Sequence, residues 1–183
     1  MASQRSSGGH FVYVCFCCQK FTRGVKPVQE DQSHRRPANE IEIQAPPYGE
    51  FEARFLELRY SNKFTKQKNL VRYILTKITQ NNYDGIYVDS EKMTVEHIVP
   101  ENPPKPSGLD DEEVASIDNL ILVDQKLNNK LGNKGFSDKR RILKKADSWV
   151  DNQIRHASTW DRAEIQARAK ALATEAFNDV WKL

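Results

Sequence analysis

Two adjacent residues, Glu96 and His97, carry the side chains best suited to chemistry in this chain. Imidazole is the side chain whose unperturbed pKa lies near neutrality, so His97 can take a proton from water at pH 7. The neighbouring carboxylate is a hard oxygen donor of the kind that holds Mg2+ or Mn2+. Neighbours in a regular strand point to opposite faces, so both can serve one site only where the strand ends and the chain bends. Pro100 restrains Val99 and ends regular pairing at that place. Asn119 follows His97 by 22 residues and Asn128 follows by nine more. An Asn can orient a loop through backbone hydrogen bonds or give its amide oxygen to a metal. The plainer alternative is a surface His beside a surface Glu.

The surrounding pattern supplies elements that position these groups. Residues 94–99 read as a short strand, and the apolar run 119–123 reads as the returning strand of a hairpin. A short helix through Lys130 follows, which puts the Glu-His pair at one end of the hairpin and Asn128 on the helix. The loop 101–116 is rich in Pro, Gly and acids and is long enough to be functional or mobile. Upstream, Phe51, Phe55 and Leu58 share one helical face, and Leu70, Ile74, Leu75 and Ile78 make another stripe. Asn81-Asn82-Tyr83-Asp84-Gly85 stops that second helix with turn residues. Downstream, helical patterns run through Ile142, Leu143, Ala146, Trp149, Val150 and Ile154. A last helix starts near Asp161, with Ser158, Thr159 or Asp161 as its cap, and turns Ile165, Ala169, Leu172, Ala173, Ala176 and Val180 inward. Trp149, Trp160 and Trp181 lie in these stripes and read as core residues rather than base-stacking groups. The expected fold is therefore α+β and mostly helical, and no internal repeat is visible.

With 183 residues the chain suits one domain or one domain plus a tail. Residues 1–46 lack sustained periodicity and read as an extension or linker, and residues 47–183 as the domain. No apolar run approaches the roughly 18 to 20 residues needed to cross a bilayer. The 28 Lys+Arg against 25 Asp+Glu give a net charge of +3, and that sum hides a segregation. Residues 89–113 hold eight acids against two bases, a local −6, and residues 126–145 hold eight bases against Asp138, a local +7. A cation beside a polyanion is one use of such a pair of surfaces; a solvated loop followed by a solvated helix face is the other. The three cysteines, Cys15, Cys17 and Cys18, all sit in one tetrapeptide with no distant partner, which excludes a disulfide scaffold. Their spacing is not that of a C-x-x-C metal knuckle, although His10 and His34 lie nearby; a zinc site and plain thiols in a strand-like segment are the two readings. Residues 11–16 are too short for a signal-peptide core, so a cytoplasmic location is expected.

The motif Val95-Glu96-His97-Ile98-Val99-Pro100, followed by Ser116-Ile117-Asp118-Asn119-Leu120 and Leu127-Asn128-Asn129-Lys130, resembles the HNH, or ββα-metal, endonuclease superfamily. Within it the chain is most similar to the C-terminal nuclease domain of GmrSD-type modification-dependent restriction enzymes. That closer likeness adds Asn119-Leu120-Ile121-Leu122, Gly135-Phe136-Ser137-Asp138-Lys139-Arg140 and the tail from Trp160 to Trp181. It covers roughly residues 48–183. The resemblance implies a ββα-metal hairpin-helix core at about residues 93–131, flanked by helices on both sides. It also implies that His97 activates water, that Glu96 and Asn128 hold one Mg2+ or Mn2+ ion, and that Asn119 pins the hairpin so that His97 is correctly aimed. Asn129 is a rival for Asn128, because adjacent identical residues leave the register open.

On this resemblance the chain is expected to be a metal-dependent DNA endonuclease, the cleavage module of a modification-dependent restriction or anti-phage defence system. Lys134, Lys139, Arg140 and Arg141 are the candidate phosphate contacts outside the site, against the alternative of an exposed helix face that binds nothing. The expected substrate is DNA, including modified DNA. No G-x-x-x-x-G-K-[ST] loop occurs, so an NTPase or sensor function is expected in another subunit or in a further portion of a longer protein. A non-cleaving nucleic-acid-binding or assembly module on the same scaffold and an RNA-cleaving nuclease are the alternatives.

Overall fold

In the computed structural model, which describes residues 45–82, 89, 91–146 and 150–183, the hairpin forms from β1, Met93–His97, and β2, Leu120–Asp124. The two strands pair antiparallel in a two-stranded sheet, with Met93 opposite Asp124 and His97 opposite Leu120. β1 stops at His97, two residues before the expected end. Ile98 still donates to the Asn119 carbonyl at 2.8 Å, but Val99 donates to the Asn119 side chain, so an amide replaces the next strand partner. The chain bends there.

β2 is buried on both faces, as a near-continuous apolar run requires. Ile121 and Val123 join one core with Leu127, Leu131, Leu143, Ile154 and Trp160. By the two-residue alternation Leu120 and Leu122 face the other way, where α2, Lys68–Asn82, packs on β2. The helix α1, Tyr48–Leu56, buries Phe51 and Phe55, and Phe51 meets Phe177 edge-on at 5.4 Å between ring centres. The sheet therefore has helices on both sides, and the fold is α+β and mostly helical. Among the described residues no helix is long and apolar enough to cross a membrane.

After β2 comes α4, Gln125–Leu131, capped by Asp124, whose carboxylate accepts from Leu127 N at 2.8 Å. Gly132 ends α4 at φ 47°, ψ −145°, a conformation that essentially only glycine takes without strain. The nearest atom to a Cβ placed there is 3.8 Å away, so Gly132→Ala carries backbone strain and no clash. We expect it to lower stability by about 1–3 kcal/mol, read from the shift in urea midpoint.

The helical stretch after Gly135 is broken in two. α5, Phe136–Lys145, ends at Ala146, and a separate α6, Asn152–His156, begins under an Asp151 cap. The last helix, α7, Arg162–Glu175, takes Asp161 as its cap and runs into a π-helical turn, Ala176–Val180.

The acid-rich loop differs from expectation. It contains a helix, α3, Asp111–Ala115, started by a capping box in which Asp110 and Glu113 bond reciprocally to each other's backbone. Glu113 also pairs with Arg162, and Asp111 with Lys63 at 2.6 Å. The acids of this segment cap and pair; they tie α3 to its neighbours. The Cys15 to Cys18 cluster, the strand expected at 11–16 and Trp149 lie outside the described residues.

Candidate active site

His97 is buried, 8 % exposed, at the end of β1. Its Nε2 lies 3.0 Å from the carbonyl oxygen of Tyr60, in the connection between α1 and α2. A carbonyl can only accept, so Nε2 carries the hydrogen and Nδ1 carries the lone pair. The Tyr60 carbonyl is held in turn, because Tyr60 N donates to Ala115 O at 2.8 Å and Arg59 bridges to Ser116. Glu101 Oε1 stands 3.7 Å from Nε2, beyond a good hydrogen bond but close enough to face an imidazolium with opposite charge. Burial pushes the His97 pKa below its usual value, against the opposing pull of Tyr60 O and Glu101. The ring is thus neutral at pH 7 and able to accept a proton.

Glu96 points the other way, into the packing of α5. Its Oε1 accepts from Lys139 Nζ at 2.6 Å, and the same ammonium donates to the His97 carbonyl at 2.5 Å. Burial raises the Glu96 pKa and lowers that of Lys139, while each charge opposes the shift of its partner. Lys139 is 1 % exposed. The expectation that it meets phosphate on the surface is therefore corrected: its charge is spent inside. Sequence spacing carried a signal for this, since Phe136, Lys139 and Leu143 follow the three-and-four rhythm of the inner face of α5.

Asn119 is fully buried with every polar atom used. Its Oδ1 accepts from Val99 N at 2.9 Å and from Trp160 Nε1 at 3.3 Å. Its Nδ2 donates to Val99 O at 3.0 Å and Val114 O at 2.8 Å. One amide thereby joins the turn after His97, the end of α3 and the start of α7. Trp160 is a core residue, 6 % exposed and stacked on Phe136.

Asn128 and Asn129 part company on α4. Asn128 is half-buried and its Nδ2 lies 3.5 Å from the carbonyl oxygen of Val95, the residue before Glu96. Asn129 is exposed and accepts from Gln125. Among the described residues no group of three or more His, Cys, Asp or Glu is placed to hold a metal. The oxygens left over by these bonds are of another kind: Glu96 Oε2, outside the Lys139 pair, and the Asn128 amide oxygen, free when Nδ2 faces Val95. Both are hard oxygens, which suits Mg2+ or Mn2+ and not a softer ion.

The remaining basic candidates divide. Arg141 is exposed and pairs with Asp138 at 2.7 Å, and Lys134 is exposed and donates to Lys130 O. Arg140 is half-buried, donates to Ala157 O and lies over the Phe136 ring, so the expectation of a free surface contact is corrected to a strut between α5 and the segment after α6.

Residues 46–175 match the family of GmrSD restriction endonucleases, C-terminal domain. The match spans more than half of the chain, so the protein belongs to that family, which makes it a nuclease module of the restriction-endonuclease class. No curated protein matches the chain significantly.

Proposed function

We propose that the chain is a metal-dependent DNA endonuclease whose β1, β2 and α4 form a ββα-metal site. The bond from His97 Nε2 to the Tyr60 carbonyl carries this reading, because it leaves Nδ1 as the basic nitrogen on a buried, neutral ring. His97 takes the proton of the attacking water at Nδ1, and the Glu101 carboxylate faces the imidazolium that results. Glu96 Oε2 and Asn128 Oδ1 would hold one Mg2+ or Mn2+. Such an ion supplies charge neutralisation on the phosphoryl group and the departing 3′ oxygen. Asn119 holds the bend after His97, and Lys134 and Arg141, on the exposed side of the basic stretch, contact phosphates beyond the site. The recognition of modified DNA, in a defence setting, belongs to an NTPase or sensor partner.

Nicking of plain and modified plasmid DNA with Mg2+ or Mn2+ tests the proposal. Cleavage by the wild-type chain that chelator abolishes and His97→Ala removes supports it. Equal behaviour of the two proteins on every DNA overturns it, and cutting confined to RNA selects the RNA-nuclease alternative. The register of the amide ligand has its own test. Asn128→Ala should weaken Mn2+ binding on the order of tenfold or more by calorimetry, and Asn129→Ala should leave it within about twofold.

A further inference from the structure

Lys139 is a fully buried cation beside the candidate site, and the proposed chemistry gives it no task. Its ammonium makes two short contacts of different kinds, to the side chain of Glu96 at 2.6 Å and to the main chain of His97 at 2.5 Å. Both acceptors belong to the pair that bears the chemistry, and both are reached from α5, an element 40 residues further along the chain. A buried ion pair is a poor source of stability, since desolvating two charges offsets most of their attraction. Its plainest physical effect is geometric: with Oε1 held by the ammonium, rotation of the Glu96 carboxylate is restrained, and with it the place of Oε2. The bond to the His97 carbonyl fixes the peptide between His97 and Ile98, at the point where β1 ends.

Building on the metal-nuclease reading above, we propose that Lys139 is a positioning residue, a clamp that holds Glu96 by one oxygen so that the other is presented to the divalent ion. Two physical effects of removing it have opposite signs, which makes the idea testable. By Coulomb's law alone, deleting a cation near a cation site strengthens metal binding. Loss of a clamp frees the carboxylate and weakens it.

The test is Mn2+ binding to the full-length chain, followed by the loss of the free-ion signal in electron paramagnetic resonance, in wild type, Lys139→Met, Lys139→Arg and Glu96→Gln. Circular dichroism and urea unfolding of each variant establish that it is folded. The expected result is a dissociation constant raised about tenfold or more in folded Lys139→Met, with Lys139→Arg between it and wild type. Should Lys139→Met not fold, Lys139→Arg keeps the buried charge and alters its reach, and must itself bind Mn2+ more weakly. If folded Lys139→Met, or Lys139→Arg in its place, binds Mn2+ as tightly as wild type or more tightly while Glu96→Gln loses the ion, the clamp is overturned and the metal reading survives. If wild type shows no saturable binding, or Glu96→Gln binds as wild type does, the metal reading fails and the clamp falls with it.

Discussion

Replacing His97 by alanine should lower the rate of DNA cleavage by about 10²- to 10⁴-fold, the range that a positioned base supplies. The substitution is expected to leave the chain folded, because among the described residues the ring's one hydrogen bond is to a backbone carbonyl, and leaving that carbonyl without a partner costs about 1–3 kcal/mol. A plasmid-nicking time course set beside a urea melt separates the two effects. A cleavage rate within threefold of wild type would remove His97 from the mechanism. The pH dependence follows from burial. His97 titrates below its usual 6.5, so the acid limb of cleavage falls below that value, and a bound cation nearby would push it further in the same direction. For stability the sign is the same. The unfolded chain binds the His97 proton more readily, so this residue leaves stability untouched above pH 6.5 and subtracts from it as the pH drops toward the lower folded value.

The largest stability effect is expected at Asn119. Asn119→Ala removes a fully buried amide and strands four partners, Val99 N, Val99 O, Val114 O and Trp160 Nε1. Each buried polar group left without a partner costs about 1–3 kcal/mol, so a total loss of at least about 3 kcal/mol is expected after partial relaxation. Asn119→Asp is no rescue. A carboxylate keeps the two acceptor contacts but has nothing to donate to the Val99 and Val114 carbonyls, and it brings an unpaired charge into the interior. Equilibrium unfolding in urea checks both, and a loss under 1 kcal/mol would show that the turn after His97 is held by other contacts.

Much of this architecture was legible in the residues. The inner faces of α1, α2 and α7 follow apolar spacing, and Asp161 caps α7 as one of three expected residues. The hairpin and the helix after it appear where alternating and apolar runs place them. Other features escaped because the physics behind them is not periodic. α3 has five residues, too few for a stripe, and only the Asp110 and Glu113 capping pair marks it. The early end of β1 comes from the Asn119 side chain, 20 residues away from the backbone it binds. Charge counting made Lys139 and Arg140 surface groups, whereas the inner-face spacing of α5 and the partners Glu96, Phe136 and Ala157 draw them in. Of the acids in the 89–113 stretch, Asp110, Asp111 and Glu113 serve the packing of α3, and Glu96 and Glu101 alone stand beside the candidate site.

The group that sets the tautomer of His97 is the carbonyl of Tyr60. Every amino acid offers that same oxygen, so the function at position 60 is invisible to side-chain replacement. A scan that changes residues one at a time, scoring Tyr60 by what its ring does, would report this site as tolerant. The dependence surfaces only when the backbone itself is altered, by replacing the peptide link after residue 60 with an ester or by shifting the connection between α1 and α2 by a residue. A map of this protein drawn from substitutions would therefore leave out one of the atoms on which the proposed proton transfer rests.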